Sequence, residues 1–256
     1  MATLPELPHP PIAEVFYGMG FKPLPLLKSA HLGLFWARHR DVYVAAEDMV
    51  PVIDPPATPG TTFQMPALPR VWLVDSTQTR LLQLQSDRLF MNWRQMKPQD
   101  EYPRFATLLP EFKEFTQGFA QFIRDQNIGE MVPVSLELGY INQIYERPDL
   151  KLPADVGKVI KPLSWNRDAY QRLSEPTDLG WKASFVRDAI RLNVQVGTGK
   201  RNTDGATAVQ LEIRAISQYA GTSLEEALAW YELAHEEVVL AFFDLTTEFA
   251  QKTLWS

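Results

Sequence analysis

The chain has 256 residues, 45% of them hydrophobic and 22% charged, which is enough to bury a sizeable core without covalent staples. It contains no cysteine, so disulfides, thiolate metal sites and cysteine nucleophiles are excluded. The formal net charge is −6 and the Lys and Arg residues stand singly rather than in a stripe, so nucleic acid is not expected as the main ligand.

The opening "MATLPELPHPPIAEVFYGMGF" has no basic region followed by an apolar run, and nowhere do 18 apolar residues stand together. The expectation is a cytoplasmic protein without membrane attachment. Within this stretch "AEVFYGMGF" reads as a strand, and "LPLLKSAHLGLFWARHR" after it as an apolar helix. Residues 50–69 hold Pro51, Pro55, Pro56, Pro59, Pro66 and Pro69, which bars both a helix and a central strand.

Three short strands follow, "RVWLVD", "RLLQLQ" and "RLFMNWR", with turns at 76–79 and 86–87. Next, Leu108, Phe112, Phe115, Phe119 and Phe122 recur at spacings of three and four and predict a long amphipathic helix, with Pro103 or Pro110 suited to its first turn. "VPVSLELGYINQI" then reads as a strand and "PADVGKVIKPL" as a shorter helix. Pro148, Pro153, Pro162 and Pro176 make 145–180 otherwise irregular.

The clearest strands come after that. Ile190, Leu192, Val194 and Val196 alternate with Arg191, Asn193 and Gln195, and Val209, Leu211 and Ile213 alternate with Gln210, Glu212 and Arg214, an antiparallel hairpin with one wet face. "WKASFVRDA" before them reads as a third strand. Finally "SLEE" makes a capping box, Ser223 accepting from the Glu226 amide, ahead of a helix whose apolar face carries Leu224, Leu228, Tyr231, Val238 and Phe242.

The expected fold is therefore α+β, an antiparallel sheet packed by long helices. The element order suggests two pseudo-repeated β-α-β-β-β-α halves, about 10–128 and 129–250, inside one domain spanning 1–256. Residue identity between the halves is negligible, so the repeat rests on element order alone.

Four segments, "PPIAEVFYGMGF", "RVWLVDSTQTRLLQLQSDRLFMNWR" with "YPRF" after it, "ELGYINQI" and "AHEEVVLAFFDLTTEFAQKTLW", together resemble a sporadically distributed bacterial family of similar chain length. The resemblance implies a bacterial protein made of one complete domain. That family has no established activity, so it implies no catalytic residues.

His235-Glu236-Glu237 invites a zinc reading, but a zinc-protease helix needs a second His one turn on, and that position is Val239. His235 lies four residues after Tyr231, on the apolar stripe, and reads as a hydrogen-bonded core or boundary histidine. His9, His31 and His39 have no ligand spacing, so no metal is expected. "GTGK" at 197–200 sits between strands and is a hairpin turn rather than a phosphate loop, and no Gly-x-Ser-x-Gly elbow occurs. Neither a catalytic set nor a cofactor is predicted.

Two candidate sites remain. In "MNWRQMKPQDEYPRF", Trp93, Arg94, Tyr102 and Arg104 combine aromatic faces with guanidinium forks suited to an anionic or planar partner. The competing reading makes Trp93 a cover for the sheet and the arginines surface residues. On "LELGYINQI", Tyr140 and Asn142 share a face with Leu138 and, with His235, are candidates to line a pocket.

Three function classes stay open. A non-enzymatic interaction or accessory protein, binding a protein partner, fits the absence of a nucleophile, metal set or phosphate loop. A small-molecule carrier or sensor with an apolar pocket between curved sheet and helix fits the aromatic content, and an enzyme of unknown class is the third. Self-association into a homo-oligomer is compatible with each.

Overall fold

The structure, a computed structural model, describes residues 4–52, 68–165, 172–200 and 205–256. Pro55, Pro56, Pro59 and Pro66 of the predicted proline-rich loop, residues 166–171 and residues 201–204 lie outside the described residues, and "GTGK" at 197–200, expected as the hairpin turn, is instead strand, Gly197 to Lys200 pairing with Gln210 to Thr207. The described elements run β1 (Ile12–Phe21), α1 (Ser29–Ala37), β2 (Ala45–Met49), β3 (Arg70–Val74), β4 (Arg80–Leu84), β5 (Arg88–Arg94), α2 (Phe105–Asp125), β6 (Pro133–Tyr145), β7 (Gly180–Arg187), β8 (Ile190–Lys200), β9 (Thr207–Gln218) and α3 (Leu224–Leu245). The fold is α+β. The nine strands of the described residues form one antiparallel sheet in the order β2-β3-β4-β5-β1-β6-β9-β8-β7.

The chain clusters into two compact units. One comprises 16–136 and 218–229. There the meander β3-β4-β5 pairs in the registers Leu73↔Leu82 and Leu82↔Met91, which align the fully buried residues of the three strands. Tyr17 of β1 stacks on Phe112 of α2 at 5.2 Å between ring centres, and Phe35 of α1 meets Phe115, Phe119 and Phe122 within 5.7 Å. The predicted phenylalanine stripe of α2 is thus consumed by aromatic contacts. On the opposite face of β1, a Cβ placed on Gly18 would strike the Phe90 ring, so the glycine is needed for that ring to lie against the strand.

The other unit comprises 1–15, 137–217 and 230–256. In it β7-β8-β9 form a second meander, and Leu192, Val194 and Val196 on β8 and Leu211, Ile213 and Ala215 on β9 are buried. Their neighbours Arg191, Gln195 and Glu212 are not. Arg214 forms ion pairs with Glu212 and with Glu137 of β6, at 2.6 and 2.9 Å.

Several sequence expectations need correction. The strand β2, "AAEDM", was not foreseen: its residues are almost all exposed and charged at the centre, so no apolar periodicity marks it. The predicted helix at "PADVGKVIKPL" is only a 3-10 turn, Val156–Lys158. A Cβ on Gly157 would meet the Leu163 carbonyl, and the following residues are taken up by contacts to the end of α3, with Lys161 N–H donating to Leu245 O and Thr247 N–H to Val159 O. Pro110 stands inside α2 and Pro103 before it, so neither opens the first turn. α3 begins as predicted, with Glu226 N–H donating to Ser223 Oγ at 3.2 Å. The Glu226 carboxylate accepts from Tyr219 O–H at 3.2 Å.

Candidate functional site

Successive residues of a strand point to opposite faces, and this decides the fate of the Trp93 cluster. Trp93 is only 2% exposed and lies on the face that carries Leu89 and Met91. Its ring centre is 5.6 Å from that of Tyr102, over which the Arg104 guanidinium sits at 5.9 Å. Arg104 is the residue before α2 and has φ 72° and ψ 156°, a region that only glycine adopts without strain. Arg94 turns the other way. Its guanidinium lies 5.8 Å from the Trp72 ring and donates to the Gln78 carbonyl at 3.2 Å. The structure therefore brings Trp93, Tyr102 and Arg104 together and sends Arg94 to a different cluster.

That second cluster is built on the outer face of β3-β4-β5, the face of Trp72. Arg70 and Trp72, two residues apart on β3, share it by period, and the register sets Gln83 of β4 opposite Trp72. Arg70 Nη1 and Trp72 Nε1 both donate to Gln83 Oε1 at 3.1 Å, and Gln83 Nε2 donates to Asn92 Oδ1 at 2.8 Å. The amide of Gln83 thus fixes the indole, while Arg70 and Arg94 both approach it, at 5.4 and 5.8 Å from the ring centre. Beside this cluster is an open cleft of about 440 Å³ lined by Ser76, Thr77, Gln78, Met96, Lys97 and Asp100, among others.

The charges on this meander are unequally matched. Arg80 has a two-pronged ion pair with Glu111 of α2, Nε donating at 2.8 Å and Nη2 at 3.0 Å, and Arg88 pairs with Asp87 at 3.2 Å. Burial, with Glu111 close by, pushes the hydroxyl of Tyr43 well above its ordinary pKa. Arg70 and Arg94 have no carboxylate within ion-pair distance among the described residues, and the Nε of each is buried without a hydrogen-bond acceptor there. Two forked cations around one indole, with no carboxylate partner among the described residues, can accept an anionic group.

The residues proposed to line a pocket lie in the other unit. The Tyr140 hydroxyl and His235 Nδ1 are hydrogen-bonded at 3.0 Å, the imidazole tautomer deciding which of them donates. Desolvation by burial lowers the pKa of His235 to about 4. Asn142 is buried and donates from Nδ2 to the Leu211 carbonyl at 3.1 Å. All three side chains are engaged in bonds that a core position requires. A smaller cleft of about 160 Å³ lies elsewhere in this unit, between Tyr145, Arg147 and Trp255.

Sequence reasoning missed Arg70, Trp72, Gln83 and Asn92. Arg70-x-Trp72 on one strand face was a usable signal, but joining it to Arg94 required the register of three strands. Among the described residues, no group of three or more acidic or histidine side chains is placed to hold a metal, and no helix is long and apolar enough to cross a membrane. Compared with known proteins, the chain matches no family model and no curated protein.

Proposed function

We propose that this chain is a non-catalytic interaction protein of the bacterial cytoplasm, and that it grips an anionic group of its partner on the outer face of β3-β4-β5. The carrying observation is the pair Arg70 and Arg94 around Trp72, which has no carboxylate among the described residues, while Arg80 and Arg88 of the same meander each have one. A partly buried guanidinium with no carboxylate among the described residues is costly to keep, which favours a function that supplies an anionic group. Lys97 on the adjoining cleft adds a third cation for the same purpose. Trp93, Tyr102 and Arg104 then serve as support for the helix-facing side of the sheet.

Within this reading the two halves descend from one β-α-β-β-β-α unit. In each, the opening strand neighbours the last strand of the meander, β1 beside β5 and β6 beside β9. The extra strand β2 in the first half and the 3-10 turn in place of a helix in the second are later departures.

The test is affinity capture from a bacterial lysate with the wild-type chain and with Arg70→Ala/Arg94→Ala. Captured material should elute with rising salt and be lost from the double variant, whose melting temperature should stay close to wild type. Equal capture by both would remove the site.

A further inference from the structure

The sheet ends in two edge strands, β2 and β7. An edge strand presents unpaired backbone groups, and proteins that stay monomeric blunt it with short length, charge or proline. The strand β2 is blunted: it has five residues, and Glu47 and Asp48 place an acid on each face, so pairing with a copy of itself would set like charges together. The strand β7, "GWKASFVR", has eight residues and no proline, and Trp181 and Ala183 on its core-facing row are only half-buried. Phe185 pairs with buried Leu192, so it belongs to the core-facing side, yet it is 45% exposed, and Val186 next to it is 67% exposed.

We propose that β7 pairs antiparallel with β7 of a second copy of this chain, about a twofold axis through Ala183. A twofold perpendicular to the sheet keeps core-facing residues with core-facing residues. Centred on Ala183, it sets Phe185 of each copy opposite Trp181 of the other and Lys182 opposite Ser184, so the exposed rings are covered twice and no like charges meet. Centring it on Ser184 instead would set Arg187 against Trp181, although Arg187 already reaches Glu237 of α3 at 3.5 Å. The α3 helix extends the same surface, since Leu233 and Leu240, one turn either side of Glu237, are 60% and 39% exposed. Strand pairing supplies the register, and these leucines supply apolar area to bury between the two copies.

The absence of cysteine allows a direct test on the full chain. Residues directly opposite in an antiparallel pair have Cα atoms about 4.5–5.5 Å apart, within disulfide range. Ala183→Cys should therefore cross-link to itself under mild oxidation, at least about tenfold faster than Ala45→Cys on the blunted edge. Sedimentation of the wild type should show a dimer, and Phe185→Asp should weaken it at least about tenfold by placing a carboxylate against each Trp181. Amide exchange of β7 in the wild type should slow on raising the protein concentration, a readout independent of how the variants fold. A wild-type chain that sediments as a monomer up to about 100 μM would overturn the proposal. So would a dimer in which Ala183→Cys cross-links no faster than Ala45→Cys.

Discussion

Folding takes the imidazole of His235 from water, where it titrates near 6.5, into a setting where its pKa is about 4. The folded state therefore binds a proton less readily than the unfolded chain, and stability from this group is complete above about pH 6.5 and lost as pH falls toward 4. The linkage relation gives a loss of about 2 kcal/mol by pH 5 and about 3 kcal/mol by pH 4. The ring is partly exposed to solvent, so screening holds the measured loss at or below those values. Urea denaturation at a series of pH values between 4.5 and 7.5 should show this slope in the wild type and a shallower one in His235→Gln. That variant keeps both a donor and an acceptor for Tyr140 but cannot titrate in the window. Subtracting the two curves removes the carboxylates and His39, whose pKa burial also lowers. Parallel curves would refute the argument, and so would stoichiometric zinc in the purified wild type that the variant lacks. Tyr140→Phe, which removes the hydroxyl hydrogen-bonded to Nδ1, should cost about 1 kcal/mol at pH 7.5.

Gly18→Ala should destabilise the chain by about 1–3 kcal/mol, because its Cβ collides with the Phe90 ring, and Phe90→Leu should recover part of that loss in the double variant, read by thermal unfolding. Gln83→Leu should cost about 1–3 kcal/mol, since its amide serves Arg70, Trp72 and Asn92 at once, and a denaturation midpoint unchanged from wild type would contradict the network. Ser223→Ala removes the oxygen that accepts from Glu226 N–H and should cost about 1 kcal/mol, whereas Ser223→Asp should be nearly neutral by the same assay.

The sequence by itself determined the elements that bury a face. Alternation marked β8 and β9, the spacing from Leu108 to Phe122 marked α2, and the Ser223 cap with the stripe behind it marked α3, because a 2.0 or 3.6 period is written directly into which residues must leave water. It also placed His235 on that stripe, and the zinc reading fell on the identity of Val239 alone. Elements with little to bury left no such mark. The strand β2 is held by its register with β3 rather than by apolar residues, and "PADVGKVIKPL" had helical composition, but its backbone bonds go to the end of α3. The candidate site needed the tertiary structure most. Period alone separates Trp93 from Arg94, but only strand register brings Arg94 to Trp72 and Arg70, and only folding brings Tyr140 to a histidine 95 residues away. A periodic pattern reports that a residue is buried or exposed; which residues then meet depends on pairings that no local stretch of chain encodes.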